Sequence, residues 1–339
     1  MLHIHNGDCS ANTAKQSPLG GEHFAWREEL IEGPTPNSLD PAEWRRVRAQ
    51  HLCESYDLDS KECERGLLDQ EKKLESFQEY EEVVLWFEHD LFCQVHLLYL
   101  LNWFSQRDLG KTKLSLICVG RFPGKQDFRG LGELNADQLA SLFPERHQVA
   151  KNELYLAASA WQAYCSSDPT YIERLLQTDT SFMPFLRAAL IAHLRRFPST
   201  RNGLGAIENL GLELINGGLS SFIDVFPRFG DAEPVYGLGD AQFWFALQRV
   251  TLAKQPLLKL ENGENASKEM NGGHDRSRLS LDRIRKTRFE LTELGRSALR
   301  GEADFVALNG IDLWLGGVHL QDKNNTWRWN EPSGTIVFT

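Results

Sequence analysis

The sequence lacks the paired cysteines that staple small secreted domains or hold a structural zinc ion. It has six cysteines in 339 residues, no two of them form a CxxC pair, and the C-terminal half has none. Cys93 and Cys118 stand within apolar runs, as buried free thiols do. These features exclude a disulfide framework and a zinc knuckle, and they predict a reducing, cytoplasmic environment.

A signal peptide and a membrane span are missing as well. The first eight residues have no basic region followed by an apolar stretch, so we expect no signal peptide. The most apolar segment, Leu91 to Phe104, contains Gln94, His96 and Asn102. It is too short and too polar to cross a bilayer, and it predicts a buried helix. We therefore expect no membrane partner.

Acidic residues outnumber basic residues, 47 against 37. The formal net charge is −10, which argues against a protein whose whole surface follows a nucleic acid. Neither a GxGxxG nor a GxxxxGK[ST] fingerprint occurs, so no cofactor is indicated. The hydrophobic fraction of 41% is that of an ordinary globular protein, and the length suits two domains.

Apolar and amphipathic segments alternate through the first third of the chain. Strands are predicted near 2–5, 23–28, 83–88 and 113–119, with helices at about 41–56, 60–78 and 91–105. Val83 to Phe87 is continuously apolar, which is typical of a central parallel strand. Strands that alternate with helices imply a mostly parallel sheet with flanking helices. We predict a Rossmann-like α/β domain over residues 1–134.

The rest of the chain predicts two further parts. Residues 135–200 form a helical connecting region, in which Ser181 to Arg196 has the clearest helical spacing. Residues 201–339 are predicted to form a winged-helix-like domain that ends in a β-hairpin at 327–337. Its helices fall at 204–215, 219–226 and 240–252, and its hairpin strands at 256–260 and 287–291. The polar stretch 261–275 between these strands predicts a mobile loop.

Four segments resemble an uncharacterised bacterial family known as domain of unknown function 1835. They are Leu2 to Asp8, Trp26-Arg27-Glu28 with Glu32-Gly33-Pro34, Phe87 to Phe92, and Leu308 to Leu320. The family has no established activity, so the resemblance implies a fold and not a reaction. The chain departs from the pattern at Cys9, where the family has Ser, and at Cys93, where Asp is usual.

Acidic residues follow the predicted parallel strands at their carboxyl ends, where open α/β sheets bind ligands. Such a group can bind a divalent metal, of unknown identity, or supply an acid and a base. Alternatively, Asp90 caps a helix, Asp8 ties a turn, and the glutamates pair with cations such as Arg27. The catalytic candidates are Asp8, Glu28, Glu88, His89 and Asp90.

Other polar residues near these strand ends are candidates for ligand binding. The turn Asn6 to Ser10 resembles an esterase nucleophile turn, but a tight turn that binds an anion is the alternative. Segment 308–320 places polar side chains among glycines, as a ligand site or an interdomain packing motif does. His3 and His5 share one face of a strand. They are either metal ligands or side chains packed against a neighbour. The ligand-binding candidates are Asn6, Gly7, Cys9, Trp26, Arg27, Glu32, Asp312 and His319.

The segment Asp275 to Arg300 is basic, with eight cations and four acids. A DNA-binding wing has this character, yet the presumed recognition helix, Phe243 to Val250, is apolar and nearly uncharged, so a nucleic-acid partner is disfavoured.

The sequence is consistent with two functions. One is an enzyme, a hydrolase or transferase acting on a small polar or phosphorylated ligand. The other is a non-catalytic regulator with a winged helix used for protein or DNA contacts.

Overall fold

The computed structural model describes residues 1–37, 39–261, 281–322 and 324–339. Its first part contains a five-stranded sheet in the order β2-β1-β3-β4-β5. The first four strands run parallel and β5 is antiparallel to β4. The strands are β1 Leu2–Asn6, β2 Glu22–Trp26, β3 Glu82–Glu88, β4 Lys113–Val119 and β5 His147–Gln148. The predicted α/β class is confirmed.

β3 is the central strand, as its apolar run predicts. Val83 to Phe87 are fully buried, because helices and loops cover both faces of the sheet. β3 pairs with β1 on one side and with β4 on the other. The carboxyl ends of β1, β2 and β3 therefore meet at one edge, and the residues that follow these strands are brought together there.

Helices flank the sheet close to the predicted positions. The side chain of Asp40 accepts hydrogen bonds from the backbone N–H groups of Ala42 and Glu43, and Pro41 opens the helix that follows. The helix Leu91–Ser105 follows β3 directly and is buried on most sides, mainly against the helix Lys151–Tyr164 of the connecting region. The helices are α1 Asp8–Lys15, α2 Pro41–Tyr56, α3 Ser60–Glu75 and α4 Leu91–Ser105, with a 3-10 turn at Ser76–Glu79.

The connecting region is helical with two differences from the prediction. His147–Gln148 forms the edge strand β5, because residues 143–145 form a 3-10 turn that contains a proline and interrupts the helices. α8 begins at Leu186 and not at Ser181, because Pro184 disfavours helix in the residue before it. The helices are α5 Ala136–Ser141, α6 Lys151–Tyr164, α7 Thr170–Leu176 and α8 Leu186–Leu194.

The C-terminal part has three helices followed by an antiparallel strand pair. The helices are α9 Ala206–Asn216, α10 Phe222–Ala232 and α11 Asp240–Thr251; the strands are β6 Leu258–Leu260 and β7 Phe289–Leu291. A helix at Leu281–Lys286 precedes β7, and Glu293–Arg300 and Phe305–Asn309 are helical after it. The predicted order of elements is present, and the winged-helix assignment itself stays a prediction. The predicted mobile loop, beyond Glu261, lies outside the described residues.

Two small hairpins close the chain. β10 Trp327–Asn330 pairs with β11 Thr335–Phe338 as predicted. The hairpin of β8 Leu313–Leu315 and β9 Val318–Leu320 was not predicted. Its turn docks on the rest of the molecule, since Gly317 donates to the Tyr164 carbonyl at 2.9 Å and the Gly316 carbonyl accepts from the Thr35 N–H at 3.1 Å. This half of segment 308–320 is therefore a packing motif.

One hydrophobic core connects the predicted parts. A continuous cluster of buried side chains extends from Leu2 in β1 through α4, α6 and α8 to Ile336 in β11. The α/β part and the C-terminal part therefore pack on a shared interior. Among the described residues, no helix is both long and apolar enough to cross a membrane.

Candidate functional site

A compact polar cluster lies at the carboxyl end of β3. The Cys93 thiol donates to Oε2 of Glu88 at 3.1 Å, and the Leu131 N–H donates to the other carboxyl oxygen. Nδ2 of Asn6, at the end of β1, donates to Sγ of Cys93 at 2.7 Å. Oδ1 of Asp90 accepts from the Cys93 N–H at 2.8 Å and caps α4. We call Asn6, Glu88, Asp90 and Cys93 the strand-edge cluster.

Burial and proximity change the protonation of this cluster. Burial, reinforced by the nearby Asp90 carboxylate, raises the pKa of Glu88 to about 7. Burial also raises the pKa of Asp90 and holds the pKa of the Cys93 thiol well above its usual value. Glu88 therefore exchanges a proton near neutral pH, which is the property of a general acid or base. Cys93 stays a neutral thiol and acts as a hydrogen-bond donor.

The same cluster contains the residues that could hold a metal ion. One ligand atom each of Glu88, Asp90 and Cys93 lies within 4.8 Å of the others. Two carboxylates and a sulfur suit zinc better than magnesium or calcium, which prefer oxygen ligands alone. A metal would have to displace protons from Glu88 and Cys93, so its affinity would rise with pH.

Backbone from two parts of the molecule covers the cluster. A Cβ at Gly130, in the loop after β4, would lie 2.9 Å from the Glu88 carboxyl. A Cβ at Gly237, between α10 and α11, would overlap the Asp90 carboxyl. An exposed ion pair between Arg129 and Asp231 joins the two covering segments. The cluster therefore lies at the junction of the sheet and the C-terminal helices.

Asp8 has a different partner from the strand-edge cluster. Arg27 donates to both Asp8 carboxyl oxygens, at 2.7 and 2.6 Å, and lowers the pKa of Asp8. The pair is exposed, and Asp8 stands in the first turn of α1. Gly7 stands in a tight turn after β1, in which its N–H donates to the carbonyls of His5 and Trp26.

Cys9 and Trp26 flank this edge in different environments. Cys9 is exposed, and a Cβ at Gly132 would lie 3.3 Å from its Cβ, so the loop that covers Glu88 also reaches Cys9. Trp26 is buried and stacks on Tyr99 with ring centroids 5.4 Å apart. Trp26 is therefore a core residue and not a ligand contact.

Glu28 and Glu32 also have partners of their own, so the expectation that the acidic residues at the strand ends act as one group requires correction. Arg48 in α2, fully buried, donates to both Glu28 carboxyl oxygens at 2.8 and 2.7 Å. The Tyr56 hydroxyl donates to Glu32 at 3.0 Å. Arg48 also donates to the carbonyls of Glu29, Glu32 and Pro34. This network holds the loop after β2 in place, which is a structural role.

Glu29 was not among the sequence candidates. Burial and the neighbouring Glu32 and Glu28 raise its pKa to about 8. Gln242 of α11 donates to Glu29 at 2.7 Å and to the Tyr56 hydroxyl at 3.0 Å. The contact crosses from the α/β part to the C-terminal part, and periodicity within either part gives no signal for it.

The two candidate histidines, His89 and His319, lie in different environments. The His89 ring packs edge-on against Phe185, and its buried Nδ1 has no hydrogen-bond partner among the described residues. His319 contacts Asp312 at 2.7 Å and stacks on Trp314 within the β8–β9 hairpin. Asp312 and His319 thus bind each other, and not the sheet edge that they were expected to reach.

His3 and His5 are packed side chains, the alternative to metal ligands. Nε2 of His5 lies 3.1 Å from Nδ1 of His23, and the Trp86 indole N–H donates to His3 at 3.1 Å. Burial and the neighbouring His23 lower the pKa of His3 to about 4 and that of His5 to about 2. Both rings are therefore neutral at physiological pH and occupied by protein partners.

The cations of the basic segment are largely paired where the structure describes them. Arg285 lies 4.0 Å from Asp240, Arg288 2.6 Å from Glu261, and Arg296 3.1 Å from Glu293. In α11, the expected recognition helix, Phe243, Leu247 and Val250 are buried. These pairs leave little free charge for phosphates.

Comparison with models of known protein families found none that matches this chain, and comparison with curated proteins found no similar sequence. The resemblance to domain of unknown function 1835 therefore stays a prediction.

Proposed function

We propose that the strand-edge cluster binds a small polar or phosphorylated ligand, and that the protein is a hydrolase or transferase that uses Glu88 for proton transfer. The observation that carries this proposal is the half-buried Glu88 carboxyl, which accepts from Cys93 and the Leu131 N–H and has its pKa raised to about 7 beside Asp90. Carboxyl pairs with such shifted protonation concentrate at catalytic sites.

Each residue of the cluster has a role in this proposal. Glu88 donates or accepts the proton, and burial, reinforced by the Asp90 charge, keeps the Glu88 pKa near neutrality. Cys93 fixes the carboxyl geometry by donating to Glu88, and Asn6 holds the Cys93 sulfur in place by donating to it. The N-terminus of α1, which has no side-chain cap among the described residues, favours an anionic ligand group at the same edge.

The second candidate is a non-catalytic regulator, in which ligand binding at the cluster changes the contact with the C-terminal helices. The close approach of Gly237 to Asp90 favours it, because any ligand there touches both parts. The C-terminal part would then contact protein. DNA is less favoured, since Arg285, Arg288 and Arg296 of the basic segment are each paired with a carboxylate. The six cysteines, all free, support a reducing cytoplasmic location.

Native mass spectrometry with elemental analysis of freshly purified protein tests the proposal. We expect a co-purified ligand or metal in the wild type and in Glu64→Gln, a matched change of an exposed carboxylate on α3. We expect its loss in Glu88→Gln. If nothing co-purifies, binding is tested instead by thermal unfolding in the presence of phosphate, Mg²⁺, Mn²⁺ or Zn²⁺. Equal retention in Glu88→Gln, or no stabilisation by any of these probes, would contradict the proposal. Salt-sensitive binding of duplex DNA would favour the regulator.

A further inference from the structure

The strand-edge cluster brings together three groups that can each become anionic. The ligand atoms of Glu88, Asp90 and Cys93 lie within 4.8 Å of one another, and no other set of three His, Cys, Asp or Glu side chains among the described residues meets this condition. Asp90 and Cys93 are 4% and 2% exposed, and Glu88 is half-buried. Groups that bind metals are therefore concentrated at one place, the carboxyl end of β3.

No lysine or arginine forms an ion pair with this cluster in the part of the chain that the structure describes. The nearby guanidinium groups bind other carboxylates, since Arg27 pairs with Asp8 and Arg129 with Asp231. Fully ionised, the two carboxyl groups and the thiol would place three negative charges side by side. Such charges are costly to bury unless protons or a metal cation neutralise them.

Each of the three groups accepts a hydrogen bond from an N–H donor. Nδ2 of Asn6 donates to Sγ of Cys93 at 2.7 Å, and the Cys93 N–H donates to Oδ1 of Asp90 at 2.8 Å. The Leu131 N–H donates to Oε1 of Glu88, which leaves Oε2, 3.1 Å from Sγ of Cys93, to face the sulfur. Hydrogen bonds of this kind stabilise the anionic form of a metal ligand and fix its direction.

The sulfur identifies the class of metal. Zinc binds a thiolate at about 2.3 Å and carboxylate oxygens at about 2.0–2.2 Å. Magnesium and calcium take oxygen ligands alone, so the sulfur disfavours both. On zinc binding the thiol proton, now donated to Glu88, and any proton on the Glu88 carboxyl would pass to solvent. Three protein ligands leave the fourth tetrahedral position to a water molecule.

We propose that Glu88, Asp90 and Cys93 form a zinc site and that zinc inhibits proton transfer by Glu88. In the zinc form, the Glu88 carboxylate gives an electron pair to the metal and no longer exchanges a proton. Zinc and the proton therefore compete for the same carboxyl group. The inhibition rests on the proposed function, whereas zinc binding itself does not.

Cobalt(II) is the spectroscopic probe for this site, because a thiolate bound to cobalt gives a charge-transfer absorption in the near ultraviolet. We expect this absorption when cobalt is added to reduced, metal-free wild type, and its loss when one equivalent of zinc follows. A large excess of Mg²⁺ should leave it unchanged. No absorption in wild type, or displacement of cobalt by Mg²⁺ as readily as by zinc, would overturn the zinc site.

Four variants assign the absorption to the cluster. Cys93→Ser should abolish it, and Glu88→Gln and Asp90→Asn should each weaken cobalt binding roughly ten-fold or more. Asp90→Asn keeps the cap of α4, so loss of the fold would not explain its effect. Cys9→Ser removes an exposed thiol at the same sheet edge and should leave the spectrum unchanged. The zinc site is wrong if the absorption persists in Cys93→Ser or disappears in Cys9→Ser.

The Glu88 carboxyl carbon resonance separates inhibition by zinc from the proposed function. In ¹³C-labelled protein the resonance is identified by its loss in Glu88→Gln. It should titrate near neutral pH without metal and stop titrating there with saturating zinc. If it titrates equally with and without zinc, the inhibition is wrong and the proposed function stands. If it does not titrate near neutral pH even without metal, the proposed role of Glu88 is wrong, and the cobalt absorption still decides the zinc site.

Discussion

Glu28 and Arg48 form a fully buried ion pair with two hydrogen bonds, of 2.8 and 2.7 Å. The pair fixes the loop that follows β2 at the same edge of the sheet as Glu88. Glu28→Gln would leave the Arg48 guanidinium buried and without its counter-charge. We expect a loss of about 3–5 kcal/mol in the free energy of unfolding, measured by urea denaturation.

The exposed ion pair of Asp8 and Arg27 provides the matched control. Its side chains are 50% and 63% exposed, so Asp8→Asn should change stability by no more than about 1 kcal/mol. Equal effects of Asp8→Asn and Glu28→Gln would show that Glu28 is not the structural residue described above.

The contributions of Glu88 and Glu29 to stability should fall as pH rises through neutrality, whereas the buried neutral rings of His3 and His5 contribute in the opposite direction below the ordinary histidine pKa. The Glu88 pKa rises from 4.5 to about 7 on folding, and that of Glu29 to about 8. Between the unfolded and folded pKa values these two carboxyl groups keep protons in the native protein that the unfolded chain has lost, so the part of the free energy of unfolding that they contribute decreases with pH. The slope is at most about 1.4 kcal/mol per pH unit for each group.

Urea denaturation at pH 5.5, 7 and 8.5 measures this slope. The free energy of unfolding of Glu88→Gln relative to that of wild type should rise from pH 5.5 to 8.5, because the variant lacks the falling Glu88 contribution, and at pH 8.5 the variant should be as stable as wild type or more stable. Glu64→Gln should keep the wild-type slope. A Glu88→Gln variant with an unchanged slope would mean that Glu88 ionises normally in the folded protein.

Gly237 should be far less tolerant of a side chain than Gly124. Both have left-handed backbone, with φ of 63° and 80°, so alanine strains both. Only at Gly237 does the new Cβ overlap the Asp90 carboxyl; at Gly124 nothing lies within 4 Å. We expect Gly237→Ala to lower the melting temperature clearly more than Gly124→Ala, and similar values would argue against the tight cover over Asp90.

Asp90 both caps the N-terminus of α4 and places a negative charge beside Glu88, and two substitutions separate these roles. Asp90→Asn keeps the cap of α4 and removes the charge beside Glu88, so stability should be equal or higher. Asp90→Ala removes the cap as well and should be about 1 kcal/mol less stable than Asp90→Asn. Chemical denaturation of the two variants gives the comparison, and a ranking of Asn below Ala would contradict the cap.

Local patterns predicted the elements, and tertiary contacts decided the site. The apolar run Val83 to Phe87 and the cap at Asp40 are readable in sequence, and both elements formed as expected. β5 could not be predicted, because His147 and Gln148 are exposed and carry no apolar pattern. Glu28 and Glu88 look alike in sequence, whereas Arg48 neutralises one and Asp90 opposes ionisation of the other.

The ionisation of Glu88 tests the central claim most directly. Selective ¹³C labelling of glutamate carboxyl carbons, with wild type and Glu88→Gln compared across pH, identifies the Glu88 resonance by difference. The account predicts that the resonance missing from Glu88→Gln titrates near the pKa of about 7 that burial and Asp90 impose. A missing resonance that titrates at the ordinary glutamate value would contradict it, because Glu88 would then be a permanently charged carboxylate unable to donate a proton at neutral pH.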